Sequence, residues 1–221
     1  MIRIENLTKR FENRVLFDHF SFVIEQGDFL ILTGKSGSGK TTLLNMIGGI
    51  ESFEEGDILI NNKSIKCKAF LRHFYTYDVG FLFQNFALLE NNTVKENLEL
   101  VKKNARSEYS LEESLKMVGM EDFMDTKVYK LSGGEQQRVA LARLIFKRCN
   151  IVLADEPTGS LDNANSENVM KILTEINKQG KTVIMVTHNE ALLSYATKII
   201  ALDDYGKMRI PIKHNSDNDR K

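Results

Sequence analysis

Cysteine is scarce in this chain: Cys67 and Cys149 are the two among 221 residues. They lie in dissimilar contexts, without C-x-x-C spacing or a neighbouring histidine, so both read as reduced thiols of a cytosolic protein, with neither disulfide nor metal site expected. Net charge is absent too, since 30 basic side chains balance 30 acidic ones. Composition therefore offers no electrostatic footprint for nucleic acid or another polyanion, and none is expected as a partner. No apolar run approaches the length of a membrane span. If the protein serves a membrane, another chain crosses it. The amino terminus, "MIRIENLTKRF", has no signal-sequence pattern and reads as the start of a folded domain. Glycine is sparse at 14 residues, which makes it informative that three fall within the stretch 34 to 42.

What is present suits one α/β domain with an inserted subdomain: 221 residues with an ordinary 42% hydrophobic content. The first third reads as short strands, "IRIENL", "FSFVIEQGD", "FLILTG" and "EEGDILINNKSI", with "DVGFLFQ" following at 78 to 84. From about Asn85 to Lys147 apolar residues recur at three and four spacing in "TVKENLELVKKNA", "SLEESLKMVGM" and "GEQQRVALARLIFK", which predicts helices. Strand signals return in "NIVLADE", "KTVIMVTH" and "KIIALDD". The helical "NANSENVMKILTEINKQG" lies between the first two, with Gly180 as its stop. Alternating strands and helices predict a mostly parallel sheet, with the helical block inserted into it and a polar tail, "KHNSDNDRK", at the end.

The stretch "GKSGSGKTT" matches the phosphate-binding pattern G-x-x-x-x-G-K-[ST] from Gly34 through Gly39, Lys40 and Thr41, and it stands between a strand-like and a helix-like run, as that pattern requires. Glycines let the backbone close tightly and aim N–H groups at an anion, and the following helix adds the positive end of its dipole. Lys40 then reaches the β and γ phosphates, and Thr41 places its hydroxyl on Mg²⁺. A ligand-free glycine-rich turn is the plain alternative. The run "IVLADE" ends in two carboxylates, so that Asp155 can face the Mg²⁺ shell and Glu156 can orient an attacking water; alone, such a run equally describes a solvated loop. In "LSGGEQQRVALAR", Ser132 and Glu135 form a capping box for a helix carrying Val139, Leu144 and Ile145. Gly133 and Gly134 sit in its first turn, where they weaken the helix and leave backbone N–H groups approachable. This second phosphate cradle suggests two copies facing each other.

These motifs in this order, with "VGFLFQ" between the first two and "VTH" after "IVLADEPTGSLD", resemble the ATP-binding subunit of ATP-binding-cassette transporters from about Ile2 to Ile210. The resemblance implies an α/β P-loop NTPase fold of the ABC-ATPase type: a mostly parallel core sheet, an N-terminal antiparallel β part and an inserted α-helical subdomain. One domain would span 1–210, with a RecA-like core at 1–84 and 148–210, the helical subdomain at about 85–147, and the tail at 211–221. It implies nucleotide contacts from Gly34, Lys35, Ser36, Gly37, Ser38, Gly39, Lys40, Thr41 and Thr42, and Mg²⁺ at Thr41, Gln84 and Asp155. Glu156, His188 and Lys40 would carry ATP hydrolysis, His188 by contacting the γ-phosphate and helping to hold the water. Phe11 stands where the family stacks an aromatic on adenine, the alternative being a core phenylalanine. Gln84 would sense Mg²⁺ and γ-phosphate and link the site to the membrane partner. Ser132, Gly133 and Gly134 would bind the γ-phosphate held by an opposite subunit, and Ser160, Leu161 and Asp162 would cross the dimer interface, Asp162 serving equally as a helix N-cap.

The implied partners are a second identical or similar ATPase subunit and a separately encoded integral membrane permease, with the chain peripheral on the cytoplasmic face of the cell membrane. The segment "VGFLFQNFALLENNTVKENLELV" is expected to meet the permease, with Phe86, Leu88 and Leu89 either receiving a short permease helix or packing the subdomain core. It resembles the branch of macrolide and antimicrobial-peptide exporters, lipoprotein-releasing ATPases and the cell-division cassette. "DTKVYK" lacks the T-x-V-G-E-x-G pattern of the fused exporters, and "ALDDYGKMRI" departs from the family at Asp203, Asp204 and Tyr205. The implied activity is ATP hydrolysis powering export or clearance of peptides, lipoproteins or hydrophobic compounds. A non-transport cassette acting as a membrane signalling or cell-division module is the alternative.

Overall fold

The structure, a computed structural model, describes residues 1–12, 14–159, 163–202 and 208–209. Two long strands, β1 (Ile2–Phe11) and β2 (Arg14–Ile24), pair antiparallel, and β3 (Phe29–Gly34) leads through the glycine-rich loop into α1 (Lys40–Ile47). Strands β4 (Glu55–Ile60) and β5 (Lys63–Ser64) join the first pair in an antiparallel sheet of order β2-β1-β4-β5. After α2 (Lys68–His73) and a π-helical turn at Phe74–Asp78, β6 (Val79–Leu82) enters a second sheet. A helical stretch follows: α3 (Val94–Glu99), α4 (Leu111–Lys116) and α5 (Gly133–Phe146). The chain closes with β7 (Ile151–Asp155), α6 (Asn163–Lys178), β8 (Thr182–Val186), β9 (Lys198–Leu202) and β10 (Met208–Arg209).

The second sheet has order β10-β9-β3-β8-β7-β6, and every pairing except β10 with β9 is parallel. This is the expected class: a mostly parallel core sheet, an antiparallel β part and inserted helices. Strands β3, β7 and β8 are almost continuously apolar because both faces of the sheet are covered. Alternation along β3 divides the core, since Leu30 and Leu32 pack with α1 and the antiparallel sheet while Phe29 and Ile31 pack with α5 and α6.

Three capping boxes start the inserted helices: Thr93 with Glu96, Ser110 with Glu113 and Ser132 with Glu135. The expected run "TVKENLELVKKNA" is broken, α3 ending at Glu99 and a 3₁₀ turn covering Lys103–Ala105. Leu98, Val101 and Ala105 are all buried despite the break, because separate turns satisfy three-and-four spacing as well as one helix does. Helical structure also precedes Asn85, in Lys68–Asp78, where the sequence reading had no element. The expectations for Ser160, Leu161 and Asp162, for Asp203, Asp204 and Tyr205, and for the tail lie outside the described residues.

Candidate functional site

The phosphate-loop geometry follows from its glycines. Gly34, Gly37 and Gly39 adopt φ of +130°, +77° and +98°, a region that side chains with Cβ rarely enter. At Gly34 close packing adds to the requirement: a Cβ there would lie 2.1 Å from the Leu202 carbonyl oxygen on neighbouring β9. Gly39 starts α1 without any side-chain cap, so no side chain of the cap position covers the first-turn N–H groups. Lys40 folds back over the loop, its Nζ donating to the carbonyls of Gly34 and Lys35 at 2.8 Å each. The guanidinium of Arg14, which the motif reading missed, donates to the Gly37 carbonyl at 3.1 Å. The buried Ser38 Oγ makes no hydrogen bond within the structure.

Parallel pairing brings the carboxyl ends of β7 and β8 beside this loop, with Asp155 opposite Val186 in register. Thr41 Oγ1 donates to Asp155 Oδ1 at 3.0 Å across 114 residues of sequence. Burial pushes the Asp155 carboxyl above its ordinary range and the Glu156 charge adds to this, while the Thr41 hydrogen bond and Lys40 oppose it. Glu156 takes a left-handed backbone, φ +46°, and its N–H donates to the Val186 carbonyl at 3.0 Å. That aims its carboxylate at His188, whose Nδ1 lies 3.0 Å from Glu156 Oε1. Glu156 Oε2 is buried and without a hydrogen bond.

Ser36, Gly37, Gly39, Lys40, Thr41, Thr42, Glu156 and His188 line one cleft of about 550 Å³, whereas Gly34, Lys35, Ser38 and Asp155 do not reach its surface. Gln84, exposed two residues past β6, and Phe11 complete its wall. Phe11 is 46% exposed, so it is no core residue. Ser132, Gly133 and Gly134 are absent from this cleft. Ser132 instead caps α5, its own N–H and hydroxyl donating to Glu135 Oε2 at 2.8 and 2.7 Å, which holds the Glu135 carboxyl below its ordinary range. A side chain added at Gly133 would meet nothing within 4 Å, so this helix start lies open.

A second groove of about 540 Å³ has an apolar floor including Phe81, Phe83, Leu100, Val101 and Leu144. Arg72, Lys102, Arg143 and Lys147 border it, and no carboxylate among the described residues does. Lys147 Nζ donates to the carbonyls of Tyr75 and Val79, and burial lowers its pKa. Phe86 and Leu88 pack on the large core, which is the core-packing alternative, and Leu89 is exposed; none of the three lines the groove.

A glycine cradle at the end of a central parallel strand, with two carboxylates at the same end of β7, separated from it by β8, defines a P-loop nucleotide-binding domain. The sequence pattern of the ABC transporter family matches residues 17–159, and the chain belongs to that family as an ATP-hydrolysing, ATP-binding subunit. It is 37% identical to "ABC transporter ATP-binding protein YxdL" of Bacillus subtilis (strain 168), over 92% of this chain and 84% of that protein. It is 38% identical to "Macrolide export ATP-binding/permease protein MacB" of Aggregatibacter actinomycetemcomitans, over 92% of this chain but only 33% of that longer protein. Among solved structures, the dimeric bacterial ABC transporter cassette MJ0796 superposes with a TM-score of 0.87 at 35% identity, covering 96% of this chain and 98% of that one. The same cassette in a dimeric post-hydrolysis state with ADP and Pi gives 0.85 at 34% identity, with the same coverage.

Proposed function

We propose that the chain binds ATP in the cleft between Phe11 and His188 and hydrolyses it as one half of a head-to-tail dimer. The observation that carries this reading is the separation of two cradles: the phosphate loop lines the cleft, whereas the open helix start at Gly133 belongs to a different surface. In this reading Lys40 leaves the carbonyls of Gly34 and Lys35 for the β and γ phosphates, and the unpartnered Ser38 hydroxyl meets a phosphate oxygen. Glu156, held by its left-handed backbone and by His188, orients the attacking water. Ser132, Gly133 and Gly134 of a second subunit close over the γ-phosphate.

The residues present fit Mg²⁺. A hydroxyl and a carboxylate already stand at hydrogen-bond distance, Thr41 to Asp155, with Gln84 on the same cleft, and no cluster of three His, Cys, Asp or Glu exists among the described residues. Mg²⁺ is held in that way, by few protein oxygens together with substrate phosphates and water. Bound there, it would neutralise charge developing on the phosphates.

For the partner, the groove between β6 and the inserted helices suits a cytoplasmic segment of a separate membrane permease with an apolar face and an acidic residue for the four cations on its border. No helix among the described residues is long and apolar enough to cross a membrane, so this reading makes the chain peripheral on the cytoplasmic face. The branch resemblance and the MacB relative support export or clearance of peptides, lipoproteins or hydrophobic compounds. The test is to purify Glu156→Gln from detergent-solubilised membranes with ATP present. Slow turnover, an ATP-dependent dimer and a co-purifying polytopic permease are expected. Wild-type turnover would remove Glu156 from its role, and recovery of only a soluble dimer would move the protein to a non-transport function.

A further inference from the structure

We infer that Lys9 is a positioning residue for the nucleotide base, acting through Phe11; this rests on Phe11 being the platform on which the base stacks. Lys9 and Phe11 are two apart on β1, and despite a register irregularity between Lys9 and Arg10 the lysine ammonium stands over the Phe11 ring. A lysine near a strand end normally extends its ammonium into water, yet Lys9 is only 4% exposed. Its Nζ lies 2.7 Å from Glu51 Oε1 and 3.7 Å from Glu54 Oε1, and 4.6 Å from the centroid of the Phe11 ring. The main chain of Glu51 and the carboxylate of Glu54 are themselves held. Glu51 follows α1 and its N–H donates to the Asn45 carbonyl at 3.2 Å, while Glu54 Oε2 accepts from the Arg10 N–H at 2.7 Å.

The result is an exposed aromatic ring with a nearly buried, doubly anchored cation against it. The ammonium is attracted to the negative charge of the ring face, which restrains the ring even though much of its edge is open to solvent. Holding the ring in its stacking orientation before the nucleotide arrives removes an ordering cost from binding. The same bridge couples β1 to the far end of the phosphate-loop helix, so the surface for the base and the cradle for the phosphates are held in one register.

The discriminating measurement compares ATP with tripolyphosphate, which offers the phosphates without a base, by calorimetric titration of the full chain with Mg²⁺. Lys9→Met is expected to weaken ATP about three- to tenfold while leaving tripolyphosphate unchanged. Lys9→Arg, which keeps a cation over the ring, is expected to retain the wild-type ratio of the two affinities. Phe11→Ala tests the underlying reading: if it leaves that ratio untouched, the stacking platform itself fails, and the role of Lys9 with it. If Phe11→Ala collapses the ratio but Lys9→Met does not, stacking stands and the inference about Lys9 is overturned. Equal weakening of both ligands by Lys9→Met also overturns it, since that marks general damage to the cradle. Should Lys9→Met fail to fold by thermal melting, Glu51→Gln loosens the anchor while keeping the ammonium; a shift of the ratio in the same direction is expected, and an unchanged ratio overturns the proposal.

Discussion

At Asp155 the structure holds a half-buried carboxylate beside Glu156, whose charge adds to the cost of ionising it, offset in part by Lys40 and the Thr41 hydrogen bond. Burial raises its pKa, so the ionised form is disfavoured in the folded chain relative to the unfolded one. The penalty is absent below the ordinary carboxylate pKa, where both states are protonated, and is fully felt above the raised folded value. Asp155→Asn is therefore expected to raise the ligand-free melting temperature at neutral pH, with the gain disappearing as pH falls through the acidic range, while Mg²⁺-dependent ATP binding weakens. Gly39 makes the opposite case. Alanine there must adopt φ +98° with its Cβ about 3.0 Å from the side chains of Leu16 and Phe17. Destabilisation of about 1–3 kcal/mol is expected in urea unfolding, together with loss of nucleotide binding. Most cleft residues were legible as motif positions because the phosphate loop is contiguous. Arg14 was not, since it reaches Gly37 from another sheet and no local spacing announces that contact.

Helix α5 does more than carry the open cradle at its start. Its Arg143 donates to the carbonyls of Ala87 at 2.7 Å and Phe86 at 2.9 Å, two residues held at φ +47° and +61°. Neither residue favours that conformation, so the guanidinium fixes the turn that follows Gln84. Arg143→Met is expected to lower stability by about 1–3 kcal/mol, because two charge-assisted hydrogen bonds are lost and their carbonyl acceptors are left unpaired, with relaxation of the strained turn offsetting part of that loss. Urea unfolding checks the magnitude, and faster limited proteolysis between residues 84 and 90 checks the location. The capping box that opens α5 was readable from Ser132 and Glu135, three residues apart. The clamp was not, because its partners are 56 and 57 residues away and the strained backbone it holds carries no glycine as a signal.

For the whole molecule, the proposed head-to-tail dimer needs two chains for each site, because the helix start at Gly133 does not line the cleft of its own chain. Specific ATPase activity is expected to rise with protein concentration, measured as phosphate release per chain over a dilution series. Gly133→Asp isolates the cause, since a Cβ there has no neighbour within 4 Å among the described residues and a carboxylate suits a helix start. Its melting temperature is expected to stay at or above that of the parent chain, while the ATP-dependent dimer disappears from size-exclusion profiles in a Glu156→Gln background. A dimer that persists would remove Gly133 from the interface.

Read alone, the sequence determined the features whose physics is local. The phosphate cradle needs only glycines that allow positive φ, a lysine and a hydroxyl within nine residues; helix starts need a cap and its reciprocal acid; buried strands need continuous apolar runs. Tertiary structure decided what depends on strand order. Only the sequence of neighbours β9-β3-β8-β7-β6 brings Thr41 to Asp155, and only the left-handed turn after β7 brings Glu156 to His188. Lys9 is the clearest instance: in the sequence it is one cation among 30, and its burial against two carboxylates and an aromatic ring exists only because β4 pairs with β1 and brings the segment that carries Glu51 and Glu54 beside it.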